Sequence, residues 1–513
     1  MSGRWSLPAV GPDDLQRLAE LIALAVCGGD TIALRGVVGA GKTTFARALI
    51  RTLLGDSDTE VPSPTFPLVQ AYATPRLPVS HFDLYRLADE ADLVEIGYDD
   101  AQLQSLVLVE WPERAEGLLG PDRLDIFLTA GASPGLRTVE LVGHGSWLPR
   151  LTRLEHLRAF LADALGASCA YGLIYMQGDA STRSYSRITG APEPLVVMDA
   201  PTMPDGPPIR NGLSYSRIAR LAEDVKPFVA LGRALQQTGL SAPRILAENL
   251  EHGFVLLEDL GDLTFARALR AGLDQRTLWL AAVDTLVALR RSALPAAFPV
   301  PDGTMHSLPR FDRAALDIEI ELLLDWYWPA MKGAAVPPEV RETFQTLWSP
   351  VLDRMMAEPA GLFLRDYHSP NLFWLPDRPG PANVGIIDFQ DALAEPWAYD
   401  LAALLQDARV DVAPDLEREG LERYCRAVSV VEPDFDPERF RVLYAVFGAQ
   451  RNTRLVGLWV RLLRRDGKPQ YLQHLPRTWD YLARNLAHPA LADLRGWYDT
   501  HFPSHVRNRT PES

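Results

Sequence analysis

Cysteine is scarce in this chain of 513 residues: Cys27, Cys169 and Cys425 are odd in number and far apart. That set builds neither a disulfide framework nor a zinc knuckle, and a reducing, cytoplasmic setting is the expectation. Long apolar runs are missing too. No stretch approaches the ~18 residues of a membrane span, and the N-terminus meets Asp13 and Asp14 before any run long enough for a signal peptide. Positive charge is in deficit, with 51 Lys and Arg against 66 Asp and Glu, a net −15. Such an acidic balance repels phosphate backbones, so little direct nucleic-acid binding is expected beyond a local basic patch or a partner subunit. With no internal repeat, no long low-complexity tract and 47% hydrophobic residues, the composition is that of a soluble globular protein.

Length sets a soft expectation of three to four domains at about 150 residues each. Charge marks no boundary: residues 1–150 carry 12 basic and 20 acidic side chains (net −8), leaving 39 and 46 (net −7) for 151–513. Pattern does mark one. The first stretch alternates short β-rich runs with helical ones, an α/β layering. A turn cluster at 130–135, a strand-like run at 137–142 and a short linker at 143–149 follow. From Leu151 the apolar spacing turns helical through Leu154, Leu157, Phe160, Leu161 and Leu165. The division expected is therefore 1–150 and 151–513. The latter has a small β-containing lobe over about 151–262 and a helical lobe over about 263–513, with mixed structure again at 361–390. Trp326, Tyr327 and Trp328 read as core packing.

The first region holds Gly36-Val37-Val38-Gly39-Ala40-Gly41-Lys42-Thr43, which fits G-x-x-x-x-G-K-[ST] at every fixed position. A strand signal at Thr31–Leu34 precedes it and a helix signal at Thr44–Leu54 follows. Glycines at 36, 39 and 41 let backbone N–H groups close on phosphates, with Ala40 and Thr44 in the same loop. Lys42 reaches the β/γ-phosphates and Thr43 can hold Mg²⁺. Nucleotide binding is the reading. Thr65, in Ser63-Pro64-Thr65-Phe66, offers a second hydroxyl for Mg²⁺. Asp83 and Glu110 each end a strand-like run, where this class of fold presents a metal ligand or a water-orienting group. Taken singly, either acid could equally be a solvated surface group.

In the second region Leu364-Arg365-Asp366-Tyr367-His368-Ser369-Pro370-Asn371 fits a kinase catalytic loop, with Leu364 replacing the usual His. A hairpin signal (372–375 and 383–387) leads to Asp388-Phe389-Gln390, with Gln390 replacing Gly. Asp366 would take the proton of an attacking hydroxyl, while Asn371 and Asp388 would hold Mg²⁺. The small residues Gly178, Ser181 and Thr182, with Arg183, could cover the ATP phosphates. Phe254–Leu260 reads as a strand into a hinge for the adenine edge, placing Glu258 and Leu260 there. His368 could touch substrate or make an ordinary hydrogen bond. Met198 stands where a strand lysine is expected, leaving Arg183, Lys226 or the metals to compensate.

The first set, G-x-x-G-A-G-K-T-T, S-P-T-F, H-F-D-L-Y-R and E-W-P-E in order within 150 residues, resembles the TsaE family. These are P-loop ATPases that assist threonylcarbamoylation of adenosine in transfer RNA. The resemblance implies ATP and Mg²⁺ at Lys42 and Thr43, service of metal or water by Asp83 and Glu110, a switch segment at Thr65, and partner subunits that perform the transfer. The second region, over roughly 155–500, resembles the bilobal, protein-kinase-like aminoglycoside phosphotransferases. More narrowly, G-D-A-S-T-R-S-Y, V-V-M-D-A-P, L-E-D-L-G-D, R-D-Y-H-S-P-N-L and I-D-F-Q-D-A resemble the AmgK type of amino-sugar kinase. That likeness implies ATP-dependent phosphorylation of the anomeric hydroxyl of N-acetylmuramate or N-acetylglucosamine, with Arg451, Asn452 and Arg461 in a segment similar to that group. An aminoglycoside or choline kinase, or a catalytically silent regulatory module, are the alternatives for this half.

Overall fold

The computed structural model describes residues 3–511 except 88–92, 94, 134, 167–168, 177–182, 293 and 360. Its contacts gather into two units, one of residues 1–200 with 254–257 and one of 201–253 with 258–513. Among the described residues, no helix is long and apolar enough to cross a membrane.

The first unit begins with β1 (Arg4–Val10), α1 (Pro12–Ala23), β2 (Thr31–Arg35) and α2 (Lys42–Leu54). β3 (Val69–Tyr72), β4 (Val79–Asp83), α3 (Tyr98–Gln104), β5 (Leu106–Glu110), β6 (Arg123–Ala130) and β7 (Arg137–Gly143) follow. The strands form one sheet in the order β1-β7-β6-β2-β5-β4-β3. β5 runs parallel to both β2 and β4. All five of its residues, Leu-Val-Leu-Val-Glu, are buried, the near-continuous apolar run that a strand covered on both faces requires. β7, nearer the edge, alternates buried and half-buried side chains, as a one-sided strand does. Asp14 accepts the Gly11 N–H at 3.0 Å to start α1, and Gly55 at φ +68° ends α2.

The parallel register has a functional consequence. Asp83 lies opposite Glu110, and Glu110 opposite Leu34, the residue two before Gly36. Both acids and the glycine loop therefore emerge at one sheet edge, the carboxyl end where such folds bind ligands.

The same unit continues through α4 (Trp147–Leu165), β8 (Gly172–Met176), β9 (Ser184–Thr189) and β10 (Leu195–Asp199), and includes most of β11 (Phe254–Glu258). These strands pair in the order β11-β10-β9-β8. α4 buries Leu151, Leu154, Leu157, Phe160 and Leu161 as the spacing predicts. Arg150 at its start forms a two-pronged pair with Asp30 at 2.7 and 2.8 Å. On β8 the Leu173 N–H donates to Glu20 of α1 at 2.9 Å. The Leu173–Glu20 bond ties the second sheet's edge to α1.

The second unit is mainly helical. Its parts used below are α5 (Tyr215–Ile218), α6 (Lys226–Gln237), α7 (Arg313–Leu322), a hairpin of β12 (Leu372–Trp374) and β13 (Val384–Ile386), α8 (Ala398–Leu405) and the 30-residue α9 (Pro437–Asp466). The hairpin pairs Leu372 with Ile386 and Trp374 with Val384, separating the two ends of the expected catalytic constellation as the sequence indicates. α9 packs on α7 and α8 and buries Phe440, Phe447, Val456 and Trp459. Tyr327 and Trp328 are core residues, whereas Trp326 is only half-buried.

Candidate active sites

The glycine loop of the first unit needs its glycines for space as well as for conformation. Gly36 has φ +144°, and a Cβ there would stand 2.4 Å from the Leu128 carbonyl oxygen. Gly41, at φ +107°, would bring a Cβ to 2.5 Å from Arg137 Nε. That guanidinium donates to the Ala40 carbonyl at 2.7 Å, so a residue of β7 braces the loop from 97 positions away. Lys42 donates to the Gly36 and Val37 carbonyls at 2.8 and 3.1 Å. Its Nζ also sits 3.6 Å from the centre of the Trp111 ring. Burial pulls its pKa below the ordinary lysine value, against the opposing pull of Glu110, Glu113 and Asp83.

Two carboxylates face this loop. Thr43 Oγ1 donates to Glu110 at 2.9 Å, and the other Glu110 oxygen lies 3.0 Å from His81 Nε2. His81 is wholly buried. Ser63 and Thr65 donate to one oxygen of Asp83 at 2.5 and 2.7 Å. A cavity of about 400 Å³ collects Gly39, Gly41, Lys42, Thr43, Thr44, Thr65, Asp83 and Glu110. Gly36 and Ala40 form the loop around it. The set brought together is thus one lysine, hydroxyls and carboxylates. Hard oxygen donors with only two acids suit Mg²⁺, which keeps waters and phosphate oxygens as its remaining ligands. His81 and Trp111 lie within the H-F-D-L-Y-R and E-W-P-E runs without a role read from the sequence, and Arg137 lies in no quoted motif. Trp111, at φ +61°, is a strained backbone position of the kind that gathers at functional sites.

In the second unit the catalytic-loop residues are held by backbone bonds to buried acids. The Leu364 and Arg365 N–H groups donate to the Asp400 carboxylate at 2.6 and 2.9 Å, and the Ser369 N–H to Asp407 at 2.8 Å. Burial pushes the Asp400 pKa up to about 7 despite those two donors. Asn371 Nδ2 donates to the Asp366 carbonyl at 3.0 Å and to Asp388 Oδ2 at 3.3 Å, and Gln390 donates to Asp388 Oδ1 at 2.8 Å. Asp366, Asn371 and Asp388 are therefore brought together. Arg365 and Asp388 have φ values of +73° and +61°, strained positions flanking the site.

Asp366 keeps 29% of its side chain exposed. Burial alone would raise its pKa, but the charges around it, Arg454 first and then Arg365 and Arg451, override that and lower it. The group is therefore a carboxylate at neutral pH, the form that accepts a proton. His368 Nε2 stands 4.0 Å from Asp366, and burial lowers the His368 pKa. Arg365 is anchored by Glu319 at 2.5 Å and by the Ala219 carbonyl at 2.9 Å. Glu319 also accepts from Gln450 at 3.0 Å and faces Arg454 at 3.4 Å. Asp388 and Asn371 again supply oxygen donors suited to Mg²⁺.

Several other expected residues are held by partners of their own. Asn452 is completely buried, its amide donating to Gln406 and Gly448 at 2.8 Å each. Arg451 donates to the Gln406 carbonyl at 3.3 Å and acts on Asp366 through its charge. Glu258 is occupied by Arg378 at 2.6 Å and the Arg244 N–H at 3.2 Å, and half-buried Leu260 follows two residues on. Lys226 pairs with Asp302 at 2.9 Å. Met198 is wholly buried on β10 opposite Tyr185, and half-buried Arg183 directly precedes β9. Gly178, Ser181 and Thr182 lie outside the described residues. Asp400, Glu319 and Arg454 went unseen in the sequence because their spacing from Asp366 follows no local pattern.

The family model for the threonylcarbamoyl adenosine biosynthesis protein TsaE matches residues 10–137, and that of the phosphotransferase enzyme family matches 174–443. An N-acetylmuramate/N-acetylglucosamine kinase of Caulobacter vibrioides is 38% identical over 339 residues, 64% of this chain and 92% of that protein. One from Pseudomonas aeruginosa is 33% identical over 65% of this chain and 90% of its own length. A tRNA threonylcarbamoyladenosine biosynthesis protein TsaE of Rickettsia felis is 37% identical over 23% of this chain and 67% of its own. With each motif set standing in its own site, the chain belongs to the TsaE family through its N-terminal region and to the phosphotransferase enzyme family through its C-terminal region.

Proposed function

We propose that the chain is bifunctional, with a functional boundary near residue 150. The N-terminal region is an ATPase that assists threonylcarbamoyl modification of transfer RNA alongside separate transferase subunits. The C-terminal region is an ATP-dependent kinase acting on the anomeric hydroxyl of N-acetylmuramate or N-acetylglucosamine. The observation that carries the kinase reading is Asn371 bridging Asp366 and Asp388, in a chain 38% identical to a kinase of that name.

The residues divide the work as follows. Asp366, held ionised by the arginines around it, accepts the proton of the sugar hydroxyl as its oxygen attacks phosphorus. Asp400 fixes the backbone on which Asp366 stands. Asn371 and Asp388 would hold Mg²⁺, which when bound offsets charge on the phosphates. In the other site Lys42 leaves its loop carbonyls for phosphate oxygens, Thr43 and Thr65 with Asp83 offer metal ligands, and Glu110, oriented by His81, positions the attacking water.

The test offers N-acetylmuramate, N-acetylglucosamine, choline and an aminoglycoside to the full chain with ATP and Mg²⁺, in wild-type and Asp366→Asn forms. The expected product is a C1-phosphate of an amino sugar, with a loss of about 10³-fold or more in the variant. Transfer to choline or the aminoglycoside alone would replace the sugar reading, and unchanged transfer by Asp366→Asn would eliminate this mechanism.

A further inference from the structure

One face of α9 is a ladder of arginines. Positions 451, 454, 461 and 465 follow the spacing that places residues above one another on a helix. Three of them are bound to a carbonyl or a carboxylate. Arg451 is bound to the Gln406 carbonyl. Arg454 is engaged by Glu319 at 3.4 Å and the Tyr399 hydroxyl at 3.3 Å. Arg465 pairs with Asp466 at 2.6 Å. Arg461 meets the Tyr215 side chain and feels the charge of Asp466, whose carboxylate is itself held by Arg465. Its guanidinium lies 4.2 Å from the centre of the Tyr215 ring, and burial, its largest influence, pulls its pKa below the ordinary arginine value. A half-buried cation stacked on an aromatic ring, its nearby acid already bonded to another arginine, can receive a further anion.

Its place relative to the chemistry follows from two anchors. Arg454 faces Glu319 at 3.4 Å, the acid that also holds Arg365 beside Asp366 at 2.5 Å, and Arg461 is seven residues further along the same helix, about 10 Å along its axis. Tyr215 opens α5, and Arg365, the neighbour of Asp366, donates to the Ala219 carbonyl just beyond that helix at 2.9 Å. N-acetylmuramate differs from N-acetylglucosamine by an ether-linked lactyl group that ends in a carboxylate at C3. The span from an anomeric hydroxyl across the pyranose ring to that carboxylate, with a hydrogen bond at each end, is also on the order of 10 Å.

We infer that Arg461, steadied by Tyr215, is the specificity residue that receives the carboxylate of N-acetylmuramate, so that the acidic sugar is distinguished from its neutral counterpart at the far end from Asp366. This rests on the amino-sugar reading of the kinase half.

The experiment is steady-state kinetics of the full chain on both sugars for wild type, Arg461→Gln and Arg461→Lys. Arg461→Gln is expected to lower kcat/KM for N-acetylmuramate by about 10- to 100-fold, chiefly through KM, as loss of a charged hydrogen bond does. N-acetylglucosamine turnover is expected to stay within about two-fold, which also reports that the variant is folded, and Arg461→Lys to restore part of the loss. Parallel losses on both sugars, or an unchanged preference, would overturn the inference while leaving the sugar-kinase reading in place. Wild type that phosphorylates neither sugar would overturn that reading and this inference with it.

Discussion

In the N-terminal region the key cation stands inside the phosphate loop: Lys42 is held by two loop carbonyls and the Trp111 ring. Its carboxylates are partnered by hydroxyls and an imidazole: Ser63 and Thr65 bond Asp83, while Thr43 and His81 meet Glu110. In the C-terminal region the position expected to supply a lysine is Met198, fully buried. Positive charge is instead concentrated around Asp366, on which Arg365, Arg451 and Arg454 act. On the proposed reading, the contrast is between a site whose own charge would grip phosphates and one whose charge would tune a base. The first design concentrates its chemistry in consecutive residues. The second draws it from α7, the catalytic loop and α9.

Replacing Asp400 attacks the second design at its support. Its carboxyl pKa is raised to about 7 from an ordinary value of 3.8. A raised carboxyl pKa means stability that is fully present below about pH 4 and lost as pH rises through about 7. Asp400→Asn removes that titration, so the wild type should lose stability relative to the variant between pH 5 and pH 8, followed by thermal melts. The variant also weakens the acceptor of the Leu364 and Arg365 N–H groups, and a fall of about 10- to 100-fold in kinase rate is expected. A wild-type-like rate with identical pH dependence would show that the acid does not hold the loop.

A smaller effect sharpens the contrast from the other side. If Met198 is packing and not a degraded charge site, Met198→Leu conserves volume and should cost under about 1.5 kcal/mol. Kinase turnover should remain within about two-fold, measured alongside the melting temperature. A large rate loss in a fully stable variant would mean that the thioether itself serves the phosphates.

The difference between the sites also explains what the sequence discloses. The glycine loop is legible because eight consecutive residues do its work and the flanking strand and helix have their own periodicities. The strand ends at Asp83 and Glu110 are legible because parallel strands deliver their last residues to one edge. Arg137 is hidden, since β7 reaches the loop only through sheet order. In the second region the 366–371–388 spacing survives because a short hairpin separates its parts. Asn452 illustrates the limit: it adjoins Arg451 in sequence, yet one residue along a helix turns it by about 100°, into the Gln406 and Gly448 contacts of the core.

The two regions of the chain are expected to handle phosphate independently, even though the first compact unit contains both the glycine loop and strands β8 to β10. The direct measurement is Lys42→Ala in the full chain, followed by two readouts: ATP turnover without sugar and phosphoryl transfer to the amino sugar. The account predicts that sugar-independent turnover falls by about 10²- to 10³-fold, while sugar phosphorylation stays within about two-fold. Joint loss of both activities in a folded variant would contradict it.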